Sequence, residues 1–213
     1  MRISILCSST DHPIFSYLKK WTKEKSGEYY IELVNTIDEL SGGNLLFLIS
    51  CNELVDSSIR SLYESTLVIH ASDLPKGRGW SPHIWQLLEG EQMITVTLLE
   101  AEDKIDSGRI WSQKQIFIEN HELYDEINFK LFQCELELMD IAIKNISSIQ
   151  PYPQPDESAS YYSKRKPQDS EVDPTKSLID SFDLMRVSDP ERFPAFFYLH
   201  GKKYFIKIEK AKD

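Results

Sequence analysis

Cysteine is scarce. The chain has three among 213 residues, Cys7, Cys51 and Cys134, and none stands beside another Cys or a His at the spacing a zinc site needs. Metal chemistry of that kind is excluded, and reduced thiols are expected. Cys7 and Cys134 fall in apolar strand and helix patterns and read as core fillers; Cys51 follows a strand. A long hydrophobic run is also lacking. The opening MRISILCSST has an apolar strand but no basic leader and cleavage site, and no stretch reaches membrane-spanning length. A cytoplasmic protein without membrane contact is expected. Basic residues are outnumbered, 24 Lys and Arg against 34 Asp and Glu, for a net charge of −10, which argues against affinity built on neutralising nucleic-acid phosphates. What is present is ordinary for a globular chain, 41% hydrophobic and 11% aromatic. Its length suits one main core with a small appendage.

The order of patterns predicts an α/β fold. Arg2 to Cys7 reads as a buried strand, and Ser8-Ser9-Thr10-Asp11 offers capping side chains to a helix carrying Ile14, Phe15, Leu18 and Trp21. Tyr29 to Val34 and Asn44 to Ser50 read as further strands, the second apolar on both faces as buried parallel strands are. A polar helix is expected near Asp56 to Glu64, then a short strand, Thr66 to His70, that ends in a histidine. Alternation of this kind favours an open, mostly parallel, Rossmann-like sheet whose ligands gather at the carboxyl ends of the strands. Residues 82–89 read as a helix and 93–100 and 109–118 as strands. Residues 123–146 carry Leu123, Ile127, Leu131, Cys134, Leu138 and Ile141 at helical spacing, closing a main domain over 1–149. Residues 150–176, rich in Pro, Ser and Tyr, read as an extended arm rather than a packed element. Residues 177–213 read as a short helix and a β-hairpin turning at His200-Gly201, a small appendage that packs inward through Phe196 and Phe197 or builds a homodimer interface.

The most specific string is His70-Ala71-Ser72-Asp73-Leu74-Pro75-Lys76-Gly77-Arg78-Gly79. It resembles the HxSxLPxxxG loop of the tetrahydrofolate-dependent formyltransferases. Asp106-Ser107-Gly108 follows in the right order and is similar to the segment that supplies that family's aspartate. Lys164-Arg165-Lys166-Pro167-Gln168-Asp169-Ser170 is similar to the signature that follows the catalytic domain in sugar formyltransferases and methionyl-tRNA formyltransferases. The ending looks reduced against the larger carboxyl-terminal domain of the tRNA enzymes.

The resemblance implies a Rossmann-like formyltransferase fold and N10-formyltetrahydrofolate as co-substrate. It implies a catalytic pair, His70 polarising the formyl oxygen and Asp106 orienting that imidazole and relaying a proton. The family's asparagine, two residues before the histidine, is replaced by Val68. Losing one such donor costs on the order of 3 kcal/mol of transition-state stabilisation, and Asn52 is the leading substitute. The folate site is expected at Cys51, Glu53, Leu54 and Val55, walled by Glu102, Asp103 and Ile105. Ser8, Ser9 and Thr10 are candidates for a substrate phosphate, and Lys76, Arg78 and Trp80 for the sugar or base. Each has a plain alternative: a helix cap for the serines and threonine, solvated charge for Lys76 and Arg78, packing for Trp80 and Trp85. Tyr161 and Tyr162 either stack on a base or cover the main domain. The acidic chain and the arm favour a nucleotide-linked amino sugar as acceptor over tRNA. A non-catalytic folate-binding or interaction protein is the alternative that Val68 raises.

Overall fold

The computed structural model of the chain describes residues 1–156 and 158–211. In order they form β1 (Arg2–Leu6), α1 (Ile14–Lys25), β2 (Tyr30–Val34), β3 (Gly43–Leu48), α2 (Ser57–Arg60), β4 (Tyr63–His70), β5 (Arg78–Gly79), α3 (Pro82–Leu88), β6 (Met93–Glu100) and β7 (Ile110–Phe117). There follow α4 (Tyr124–Asn145), β8 (Tyr161–Tyr162), α5 (Leu178–Val187), β9 (Phe196–Leu199) and β10 (Lys202–Phe205). Six strands make one sheet in the order β2-β1-β3-β4-β6-β7. Only β6 runs against the others, pairing antiparallel with both β4 and β7. The expected α/β, mostly parallel sheet is therefore present, with its order reversing at β1 and β3, where open sheets of this kind take ligands.

Side-chain alternation sorts the two faces. Ile3, Ile5, Leu45, Phe47, Ile94, Val96 and Leu98 enter one face, covered by α1 through Ile14, Leu18 and Trp21 and by α4 through Ile127, Leu131, Leu138 and Met139. Trp21 Nε1 donates to Asp140 Oδ1 at 3.0 Å and ties the two helices together. The opposite face holds a smaller cluster of Leu6, Val34, Leu46, Leu48, Val55 and Tyr63. With each buried aliphatic side chain contributing about 1.5–3 kcal/mol, the first face carries most of the burial. The second can accommodate polar side chains at the end of β4, where Val68 packs against the small cluster and His70 follows on the same side of the strand.

Three local expectations change. The polar helix is a single turn, Ser57–Arg60, capped by Asp56 through Ser58 N and Ile59 N. The chain then leaves it early because Tyr63 already belongs to β4, its hydroxyl donating to Ser4 Oγ at 2.8 Å and accepting from Gly42 N. Helix α1 begins at Ile14 with Pro13 at its cap and no side-chain cap. Instead, Ile14 N donates to His12 Nδ1, and Ser9 Oγ turns to Asp11 N. The arm is a packed element: β8 pairs parallel with β5, and residues 167–170 form a 3₁₀ turn. Composition alone pointed to a loose segment, but it carries no information about a backbone ladder supplied by a distant loop.

The hairpin turns at His200 and Gly201, both with positive φ, as the tightest antiparallel connections require. Phe196 is buried, and Phe197, half-buried, packs with Val172, Met185 and Ala195. Arg186 docks α5: its guanidinium is fully buried, donating to Asp183 Oδ1 at 2.6 Å and to the carbonyls of Glu119 and Glu122. Among the described residues no helix is long and apolar enough to cross a membrane.

Candidate active site

β6 runs antiparallel to β4, passing the end of β4 with Thr97 opposite His70 and ending at Glu100 opposite Leu67. Its continuation, residues 101–109, therefore folds back over the sheet and brings Asp106 to His70. The reversal is made at Asp106 itself, whose φ of 54° lies in the left-handed region that Asp tolerates better than most residues. His70 Nδ1 and Asp106 Oδ1 lie 3.6 Å apart, with side chains 8% and 6% exposed. His70 Nε2 is 2.7 Å from Gly77 O. A carbonyl can only accept, so Nε2 carries a proton. Nδ1 is the ring atom that faces the carboxylate.

The other carboxylate oxygen, Asp106 Oδ2, accepts from Gly79 N at 2.9 Å. Gly79 has no room for a side chain: a Cβ there would lie 2.4 Å from Tyr162 O. Beside the pair, Thr97 is the antiparallel partner of His70. It donates to Ser72 O at 2.7 Å and accepts from Gln113 Nε2 at 3.0 Å. The Ser72 hydroxyl of the same loop is buried without a partner among the described residues.

The sequence-derived candidates separate by position. Asn52 is exposed, and its backbone N–H donates to Ser8 Oγ at 2.9 Å, joining the ends of β1 and β3 where the strand order reverses. Cys51 Sγ lies between Ser8 Oγ and Glu53 O. Glu53 turns to Ile37 N. Leu54 is 72% exposed and Ile105 is 64% exposed, two uncovered apolar side chains on the two loops expected to wall the folate. Val55 is buried in the small cluster, so its side chain is taken by the core and its carbonyl by Arg60. Arg60 also pairs with Asp103, linking the two loops; Glu102 is exposed. Thr10 and Lys76 are exposed, and Trp80 carries Lys164 Nζ 4.3 Å above its ring.

Arg78, a candidate for the sugar or base or else a solvated loop charge, is not solvated. It is buried, with Nη1 on Tyr161 OH at 3.3 Å and Nη2 on Gln154 Oε1 at 2.5 Å. Tyr162 stacks on Trp85, whose Nε1 donates to Ser163 O, so in this pair the tyrosine covers the protein. Sequence reading missed Thr97, Gln113 and Gln154. Nothing in their local pattern marks them, because each acquires its role from strand pairing or from the arm.

All three thiols are pushed up in pKa, chiefly by burial, Cys134 to about 11. None is a thiolate nucleophile. Two half-buried histidines behind the site are held low, at about 4, by burial first and then by cations: His12 by Arg192, and His83 by His12, His70 and Arg165. Glu135 on α4, facing Cys7, is pushed up to about 8 by burial. The unfolded chain binds two histidine protons near pH 6.5 that the folded chain refuses until about 4. Stability therefore rises with pH from about 4 to 6.5. Glu135 acts oppositely, since the folded chain keeps its proton up to about 8 and stability falls as pH climbs from 4.5 to that value. Two protons against one leave a net rise on the order of 1 kcal/mol per pH unit below 6.5, and a decline above it. Thermal unfolding is expected to show its highest Tm between about pH 6 and 7. Glu135→Gln should flatten the alkaline side and His83→Gln the acid side; a Tm still climbing from pH 7 to 8 would contradict the assignment.

Residues 7–143 match the family model described as formyl transferase. The chain is 30% identical over 217 aligned positions to the bifunctional polymyxin resistance protein ArnA of Wigglesworthia glossinidia brevipalpis, an alignment covering 96% of this chain and 33% of that protein. It spans 33% of the length of that protein and 59% of that of a methionyl-tRNA formyltransferase of Acetivibrio thermocellus, to which it is 28% identical over 85% of this chain. Among solved structures, it superposes on a methionyl-tRNA formyltransferase from Clostridium thermocellum with a TM-score of 0.84 at 21% identity, covering 100% of this chain and 94% of that one. It superposes on a sugar N-formyltransferase from Shewanella sp FDAARGOS_354 with a TM-score of 0.73 at 16% identity, covering 100% and 99%. The sheet, the paired histidine and aspartate, and the family match over most of the sheet and α4 agree: this chain belongs to the formyl transferase family.

Proposed function

We propose that this protein transfers a formyl group from N10-formyltetrahydrofolate to the amine of a nucleotide-linked amino sugar. The observation that carries the reading is the buried contact of His70 with Asp106 at the end of β4. The residues around it suit a folate: Leu54 and Ile105 offer apolar cover from two loops that Arg60 and Asp103 hold together. When bound, the folate supplies the formyl carbon. His70 exchanges its contact with Gly77 O for one with the formyl oxygen and stabilises the charge gathering there. Asp106 keeps the ring oriented and passes the proton shed by the attacking amine toward the departing folate nitrogen. Asn52, on the exposed loop beside β1, supplies the donor that Val68 lacks.

The amino-sugar acceptor is supported by the acidic chain, since tRNA binding rests on basic surface. Incubation with formyltetrahydrofolate and a panel of amino-sugar nucleotides is expected to release tetrahydrofolate with at least one of them. Silence across the panel together with turnover of charged initiator tRNA would overturn the acceptor. A second reading, a folate-binding protein without turnover, is favoured by one observation: Val68 sits in the apolar cluster and donates nothing. Folate binding by calorimetry without turnover of any acceptor would establish it.

A further inference from the structure

The residues that hold Asp106 in place come in part from the arm, some fifty positions further along the chain. Gln154 is bonded at both ends of its amide. Its Oε1 accepts from Arg78 Nη2 at 2.5 Å, and its Nε2 donates to Asp106 O at 2.9 Å and to Gly108 O at 3.0 Å. The orientation of the amide is fixed by its partners, because a guanidinium only donates and carbonyls only accept. One side chain therefore clamps the two carbonyls that flank the turn and connects them to the loop after His70. The turn needs such support, since Asp106 has φ of 54° and left-handed backbone costs a non-glycine residue about 1–2 kcal/mol.

The loop side of the clamp is built from the same arm. Ser160 Oγ accepts from Gly77 N at 2.8 Å, Ser160 O from Arg78 N at 3.0 Å, and Tyr162 O from Trp80 N at 3.2 Å. Gly77 is the residue whose carbonyl holds His70 Nε2, and Gly79 N holds Asp106 Oδ2. The arm thus fixes both partners of the catalytic pair through backbone and through Gln154, without touching either ring or carboxylate.

We propose that Gln154 is a positioning residue for Asp106, and that docking of the arm completes the active site; this rests on the formyl-transfer reading above. A displacement near 1 Å at a reacting group costs about a hundredfold in rate. Gln154→Met, apolar and of similar length, is expected to lower kcat by about 10- to 100-fold while KM for both substrates stays within about twofold. Gln154→Glu keeps an acceptor for Arg78 but loses the donor to the two carbonyls, so it is expected to lose kcat as well. A readout independent of turnover is the titration of the His70 ring followed by nuclear magnetic resonance in the full chain, which should shift in both variants with the fold intact. Full kcat in Gln154→Glu with an unchanged His70 titration would overturn the role, as would a rise in KM without loss of kcat. A His70 shift in both variants, together with no turnover of any acceptor by the unmodified protein, defeats the formyl-transfer reading and leaves the positioning role standing.

Discussion

His70→Ala is expected to lower kcat/KM for formyl transfer by about three orders of magnitude. In the proposed reaction the imidazole donates to a developing negative charge in a buried site, and removal of one such preorganised donor costs about 2.7–4 kcal/mol. Alanine should fold, because the ring's hydrogen bond is to Gly77 O, in a loop that the arm also holds through Ser160 and Tyr162. Asp106→Asn retains an oxygen to accept from Gly79 N but removes the charge that faces Nδ1. A loss of about a hundredfold or more, concentrated in kcat, is expected there. The check is steady-state release of tetrahydrofolate alongside thermal unfolding. Turnover of His70→Ala within tenfold of the unmodified protein would remove this residue from the chemistry.

Gly108→Ala is expected to be the most damaging single methyl addition in the sheet region. A Cβ at this position would stand 1.9 Å from Glu100 O and 2.7 Å from Glu100 C, backbone atoms at the end of β6. No side-chain rotation relieves such a clash, so either β6 or the aspartate turn must move. Overpacking against backbone costs roughly 3 kcal/mol or more, which for a chain of this size lowers Tm by about 6–12 °C. Activity should fall further than stability, because Gly108 O is one of the carbonyls that Gln154 holds, and displacement carries Asp106 with it. Gly27→Ala is the control, with nothing within 4 Å of the added carbon and no positive φ. An unfolding temperature for Gly108→Ala equal to that control would show that the turn yields freely.

Much of the fold was legible because it depends on local periodicity. Strands apolar on both faces, such as β3, and the helical spacing of α4 gave a mostly parallel sheet covered by helices, and the boundaries moved by only a residue or two for most elements. The predicted helix after β3 failed at its far end because Tyr63 is recruited by Ser4 and Gly42, partners distant in sequence. For the site, the order of His70 through Gly79 and then Asp106-Ser107-Gly108 was readable as a resemblance, and the structure brings His70 and Asp106 into contact. Arg78 and Val55 are ligand candidates by their sequence, and their side chains lie in buried protein contacts. Charge and apolar character are visible in a sequence, but which side of a loop a residue turns to is not.

The sequence by itself determined the class of fold, the strand that ends in His70, the aspartate-bearing loop and the acidic balance of the chain, because each is written in composition or in short-range spacing. The tertiary structure alone decided that the arm packs against the loop after His70, that Gln154 spans Arg78 and the Asp106 turn, and that Thr97 and Gln113 stand beside His70. The physical reason is hydrogen-bond saturation. A buried turn with unpaired carbonyls and a buried guanidinium must find partners, and those partners come from whichever segment the fold brings within 3 Å, however far away it lies in the chain.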